Sequence, residues 1–299
     1  MVIFHTCVTT TLLQQRPYTM HLFVDNLTNV DFSYLDATRG LVGETWLASI
    51  VLEGALDEQG MVCDFGVVKK TVRHWLDTYI DHCLAVPTES TALSLSQQDD
   101  MVDLTWKYNH TYLRCLSPKQ GISLINSPAI TPESVATWCI EHLRKHLPDT
   151  IDRISLTFTT EVIQHHAYHY SHGLKKHQGN CQRIAHGHRS TIEIFKDNIR
   201  DHALEAQWCT QWKDIYIGTQ ADLCTDKHNN TDHYHFAYDA QQGHFELSIP
   251  KTHSYLIDTD STVEFIAQHI ADTLHQQHPA HRFTVKAFEG IGKGALAFS

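Results

Sequence analysis

The segment His186-Gly187-His188 places two imidazoles two residues apart, a spacing that in a strand turns both side chains to one face, where a single cation can take both. A third imidazole, His172 in Tyr170-Ser171-His172-Gly173-Leu174, can reach the same cation from an adjoining strand. Three nitrogen ligands leave the fourth tetrahedral position open to water or substrate, which is the catalytic pattern for zinc. Neutral ligands also leave the ion its full charge, so a bound hydroxyl ionises more readily. Abundance of histidine is no argument by itself: the chain has 24, seven of them between positions 165 and 188, and such clusters often only face solvent. The H-x-H spacing, with His172 and Cys181 close by, is what singles out one zinc site.

Strands and helices must hold these residues. Alternating apolar positions predict strands over 30–36, 44–54, 154–161, 167–174 and 190–195, with further strands at Phe245–Ile249 and Arg282–Gly290. Asp64 can cap a helix over 65–80, where Val68, Val72, Trp75, Leu76 and Tyr79 recur at helical spacing. Thr131 and Pro132 open a second helix ending near Pro148, and two more are expected around 203–214 and from Asp260 to His275. Polar stretches at 88–130 and 222–233 read as insertions. Two helices set among antiparallel strands, twice over, make a tandem α+β repeat. The expected division is an extension outside the fold over residues 1–19, a first repeat over 20–163 and a second over 164–299.

The totals narrow the class of function. With 299 residues, 42% of them apolar, a large core is available, and a formal charge of −11 argues against a nucleic-acid footprint, which needs a basic face. Eight cysteines without a C-x-x-C pair suggest neither a disulfide framework nor a cysteine-rich zinc module. No membrane-length apolar run and no secretory signal are present, so a cytoplasmic protein without membrane partners is expected.

The run Tyr170-Ser171-His172, then Gly179-Asn180-Cys181, then His186-Gly187-His188 resembles the F-S-x-x-H, G-K-C and H-G-H series of the 6-pyruvoyl and 6-carboxy tetrahydropterin synthases. That resemblance implies three zinc-binding histidines and makes Cys181 the general base. A thiolate near a zinc-bound alcohol can take a carbon proton while the metal stabilises the charge left behind. In the first repeat, Gly60-Met61-Val62-Cys63-Asp64-Phe65-Gly66 is similar to the family's G-M-V-x-D-F segment, and Ile80-Asp81-His82 to its L-D-H, which implies a proton relay through Asp81 and His82.

The repeats differ in what they keep. Alignment on the family motif puts Asp36, Val42 and Glu44 at the first repeat's histidine positions, so it should not bind zinc, and Lys251-Thr252-His253 is the second repeat's candidate for the L-D-H position. A composite site is therefore expected, with zinc and Cys181 from a second repeat and Asp81-His82 from a first. His253 is the substitute should His82 prove dispensable. The resemblance further implies a glutamate that accepts paired hydrogen bonds from the pterin ring, for which Glu289 ranks ahead of Glu161. Lys175, Lys176, Arg183 and Arg189 are candidates to hold a triphosphate.

As a whole the resemblance implies two tandem tunnelling-fold repeats, assembly into a homo-oligomer, and a zinc-dependent lyase. The expected reaction converts 7,8-dihydroneopterin triphosphate to 6-carboxytetrahydropterin on the route to queuosine. A 6-pyruvoyl product is the enzymatic alternative. A non-catalytic pterin-binding module and a plain zinc hydrolase are readings of another class; the retained histidines weigh against the first and the lack of a carboxylate base beside them against the second.

Overall fold

The computed structural model describes residues 19–224 and 232–299, so the expected extension over 1–19 lies, but for Thr19, outside the described residues. The first half runs β1 (Thr19–Asp36), β2 (Gly40–Ala55), α1 (Phe65–Tyr79), β3 (Leu84–Pro87), β4 (Leu93–Gln98), β5 (Met101–Tyr108), β6 (Thr111–Pro118), β7 (Ile122–Ile125), α2 (Pro132–Leu143) and β8 (Ile151–Thr160). The second runs β9 (Ala167–His172), β10 (His186–Lys196), β11 (Ile199–Arg200), α3 (His202–Gln211), β12 (Ile215–Thr219), β13 (His233–Ala240), β14 (Gly243–Pro250), β15 (Ser254–Ile257), α4 (Val263–Gln277), β16 (Phe283–Phe288) and β17 (Gly294–Phe298). The shared order is a tandem α+β repeat.

Helix starts follow the chain's capping chemistry. Asp64 accepts from Val67 N at 3.0 Å, and Thr131 and Ser134 close a reciprocal capping box with Pro132 in the first turn. Val72, Trp75 and Leu76 of α1 and Val135 and Cys139 of α2 bury against a sheet of order β7-β3-β1-β2-β8. Trp208 of α3 and Ile266, Ile270 and Leu274 of α4 do the same on the sheet β15-β12-β9-β10-β16-β17.

The polar stretch at 88–130, read as an insertion, supplies β4, β5 and β6 to a third sheet of order β13-β14-β6-β5-β4, in which Glu246 pairs with Leu116 across the repeats; most of the stretch at 222–233 lies outside the described residues. Alternation explains it: Val102, Leu104 and Trp106 of β5 and Phe245, Leu247 and Ile249 of β14 turn inward to a core of their own. Ile184 and Ala185, immediately before the H-x-H pair, are buried in that core.

Equivalent positions meet where the halves cross. The hydroxyls of Ser33 and Ser171 lie 2.7 Å apart, and the backbones of Gly43 and Gly187 touch, as in a two-fold contact between like subunits. A Cβ on Gly43 would sit 1.9 Å from the Tyr170 carbonyl oxygen, and one on Gly187 2.7 Å from Gly43 Cα. Only glycine fits, because the obstacle is backbone. Gly43→Ala should therefore cost about 1–3 kcal/mol or more of stability, read as a lower urea midpoint at unchanged slope.

Candidate functional site

Register builds the histidine cluster. In the β9–β10 ladder His186 stands opposite His172 and His188 opposite Tyr170, and the strand begins at His186, so the H-x-H pair shares a face. One ligand atom from each of His172, His186 and His188 lies within 4.8 Å of the others, and all three side chains are buried. The Nδ1 atoms of His172 and His186 are occupied outward, at 2.9 Å from the Ser261 carbonyl and 2.8 Å from the Arg183 carbonyl, while His188 Nδ1 stands 3.2 Å from Asp31 Oδ1, a charge contact without hydrogen-bond alignment. This leaves the Nε2 atoms to converge, and those of His172 and His188 are 3.3 Å apart. A tetrahedral zinc with Zn–N bonds of about 2.0–2.1 Å has ligand–ligand edges of about 3.3–3.4 Å. Burial, followed by the other imidazoles of the cluster, holds His172 and His186 well below the usual histidine range, in the neutral form that binds metal. The donor set fits zinc.

The relay residues come from the other half of the same chain. His82 Nδ1 is 2.5 Å from Asp81 Oδ2, and the His82 and His186 rings are 4.9 Å apart. Burial would lower the His82 pKa, but hydrogen bonds to Asp81 and Cys181 raise it well above the ordinary value. One ligand atom from each of His82, Cys181 and His186 also lies within 4.8 Å of the others, which brings Cys181 to the cluster. Backbone contacts to β1 lock this corner: Asp31 N donates to Asp81 Oδ1 at 2.8 Å and His82 N to the Asp31 carbonyl at 2.6 Å. His82 pays for the position with a left-handed φ of 55°.

Asp31 is the residue that motif reading passed over. Buried between the sheets, it meets His188 through Oδ1, accepts from Thr45 Oγ1 at 2.6 Å and from Lys293 Nζ at 3.3 Å. Burial alone would raise its pKa; His188, Lys293 and Thr45 instead hold it below the usual carboxylate range. A carboxylate behind a ligand imidazole orients the ring and raises its basicity. The only sequence signal is an aspartate that shares a strand face with Ser33, opposite the apolar face of Val30 and Phe32.

Glu289 Oε1 is 3.8 Å from His188 Nε2, on a turn closed by Glu289 N donating to the Lys293 carbonyl at 3.0 Å. Glu161 ends the equivalent strand of the first half, where its backbone carbonyl accepts from Arg189 Nη1 at 2.9 Å. Of the four basic residues nominated for a triphosphate, Lys175 is paired with Asp222 and Lys176 with Asp260, while Arg183 is buried with its Nε on Gln242 Oε1 at 3.0 Å. Each already has a protein partner.

The turn carrying Cys181 is held by the β13–β14 hairpin. Tyr238 donates to the Gln182 carbonyl at 2.8 Å, Gln242 N to Gln182 Oε1 at 2.6 Å, and Gln242 Nε2 to Asn180 Oδ1 at 2.8 Å. Gln242→Ala should leave zinc content intact and lower turnover, by up to about 100-fold if the thiol moves by about 1 Å; paired metal analysis and kinetics check this.

Two alignments need correction. Because Ser33 meets Ser171, the counterpart of His172 is Tyr34 and not Asp36; Val42 and Glu44 do stand at the His186 and His188 positions. The counterpart of Asp81-His82 is Lys213-Asp214, since Ile80 and Trp212 both end their helices there and Asp214 has φ 56°, close to His82. His253 lies instead against the Tyr108 ring. On this side Arg39 clamps Asp214 at 2.9 and 2.5 Å and reaches Tyr34 at 3.2 Å, so a guanidinium stands between the counterparts of His82 and His172.

Residues 34–162 match the family model described as 6-pyruvoyl tetrahydropterin synthase. The matched stretch is less than half of the chain. A Pyrococcus horikoshii protein provisionally named 6-carboxy-5,6,7,8-tetrahydropterin synthase is 24% identical over 127 residues, 42% of this chain and 73% of that protein. Among solved structures, the Plasmodium vivax 6-pyruvoyltetrahydropterin synthase matches at 20% identity and TM-score 0.40 over 48% of this chain and 91% of its own. The Plasmodium falciparum enzyme does so at 15% identity and TM-score 0.40 over 47% and 91%. The matched stretch contains Asp81 and His82, whereas His172, Cys181, His186 and His188 follow it in the chain. No helix among the described residues is long and apolar enough to cross a membrane.

Proposed function

We propose that this protein is a zinc-dependent pterin lyase acting on 7,8-dihydroneopterin triphosphate, with 6-carboxy-5,6,7,8-tetrahydropterin as product and queuosine biosynthesis as its route. One observation carries the reading: three imidazoles with converging Nε2 atoms share a pocket with Cys181 and with the Asp81-His82 pair. His172, His186 and His188 hold the zinc, with Asp31, Ser261 and Arg183 fixing their rings. Bound there, zinc supplies Lewis-acid polarisation of the substrate's side-chain hydroxyls. Cys181 takes the proton from the adjacent carbon. His82, oriented by Asp81, accepts or returns a proton at its Nε2. Glu289 accepts the amino and ring N–H of the pterin, a task for a group that only accepts.

In this reading the second half supplies the metal ligands and Cys181, and the first half, 20–163, supplies the relay. The chain thus contains within itself a site built from two repeats, and it assembles further as a soluble cytoplasmic homo-oligomer through its open sheet edges. Incubating zinc-loaded protein with dihydroneopterin triphosphate, wild type beside Cys181→Ala, tests the proposal. The 6-carboxy product with release of acetaldehyde and triphosphate is expected from wild type alone. A 6-pyruvoyl product would move the chain to the alternative named by the family model, and no turnover by zinc-replete protein would leave only a pterin-binding module.

A further inference from the structure

The histidine cluster overlaps a second convergence of donors. His186 belongs both to the set His172, His186, His188 and to the set His82, Cys181, His186, each with one ligand atom per residue within 4.8 Å of the others. The second set is built as metal sites are built. His82 has its Nδ1 on the Asp81 carboxylate at 2.5 Å and His186 its Nδ1 on the Arg183 carbonyl at 2.8 Å, which turns the Nε2 of each ring inward, that of His82 toward Cys181. The sulfur is the one difference in donor type, and it changes the cation preferred: thiolate favours soft ions, imidazole alone the borderline ones.

From this overlap we infer a second, mutually exclusive cation position at His82, Cys181 and His186, which takes soft divalent ions such as cadmium and, when filled, withdraws Cys181 and His82 from any chemistry. His186 has a single free nitrogen, so the two positions compete for it and the chain holds one ion at a time in this pocket. Binding forms one metal–sulfur and two metal–nitrogen bonds. The thiol proton and any proton on His82 Nε2 leave to buffer, the Nδ1 proton stays toward Asp81, and no oxidation occurs. A tetrahedral centre with bonds of about 2.0–2.3 Å has edges of about 3.3–3.8 Å, so closing the set from separations of up to 4.8 Å asks for shifts of about 1 Å. The binding stands on geometry alone. Its inhibitory consequence rests on the proposed roles of Cys181 and His82.

The test is titration of metal-free full-length protein with cadmium, following thiolate-to-cadmium charge-transfer absorbance in the ultraviolet, with zinc content measured in parallel. Wild type should develop the band with one equivalent and lose it as zinc is added. His172→Ala should lose zinc and keep the band. Cys181→Ser should keep zinc and lose the band. Asp81→Asn, which removes the carboxylate behind His82, should weaken cadmium binding by about 10–100-fold. A wild-type protein without the band, a band undiminished in Cys181→Ser, or one that persists in protein measured to have taken up one zinc overturns the inference. Failure of the zinc-lyase reading looks different: wild type then takes no zinc, while His172→Ala still shows the band.

Discussion

Replacing His186 with Ala is expected to strip zinc from the protein and to remove activity by at least about 100–1000-fold, the scale of losing several kcal/mol of charge stabilisation. The reason is that His186 sits at the centre of the donor set: it pairs across the ladder with His172 and shares a strand face with His188, so its loss leaves two nitrogens that cannot hold the ion. The same change opens a cavity under a fully buried ring. Elemental analysis after gel filtration, with kinetics on the same sample, reads both effects. Asp31→Asn should give a graded version, with zinc affinity about 10–100-fold weaker because the His188 ring keeps a partner but loses a charged one. If Asp31→Asn bound zinc as tightly as wild type, the carboxylate would be only a structural link between β1, Thr45 and Lys293.

The second large effect separates the relay from the metal. His82→Ala should retain one zinc per chain and lose turnover by about 100–10,000-fold, the usual contribution of a positioned acid or base. His82 meets the zinc-ligand candidates through ring contacts of 4.9 Å to His186 and 6.4 Å to His188, and its own Nδ1 is spent on Asp81. Zinc analysis beside single-turnover kinetics distinguishes the outcomes. Full activity would remove His82 from the chemistry. Substitution of His253 then offers no rescue of the relay, because that ring packs on Tyr108 and the second half's structural equivalent of the relay is Lys213-Asp214.

That last point shows why the repeat is asymmetric. Where the second half presents His172, His186 and His188, the first presents Tyr34, Val42 and Glu44, and where the first presents His82 the second presents Asp214. Arg39 fills the resulting pocket with a cation of the protein's own, bonded to Asp214 and Tyr34. Glu44, its pKa pushed up to about 7 chiefly by burial, faces His169 at 3.9 Å, in the arrangement that Asp31 and His188 adopt on the other side with the acid and base exchanged. Retaining contacts of this kind lets the halves keep their mutual docking while only one pocket keeps donors for a metal.

What the sequence determined by itself is local. A two-residue spacing within a strand decides that His186 and His188 share a face, helical spacing and the Asp64 and Thr131 caps decide where α1 and α2 begin, and repetition of that plan decides that there are two halves. Each of these is set by backbone geometry over a few residues, so it can be read along the chain. The tertiary structure alone decided what meets across the halves. Asp31 behind His188, His82 beside His186, and Gln242 holding the Cys181 turn join residues far apart in the chain. Those meetings depend on the angle and closeness at which two sheets cross, and that closeness rests on two positions without a side chain, Gly43 and Gly187. A missing Cβ permits such an approach but does not name the partner, and for that reason Tyr34 and Asp214 became recognisable as counterparts of His172 and His82 only in three dimensions.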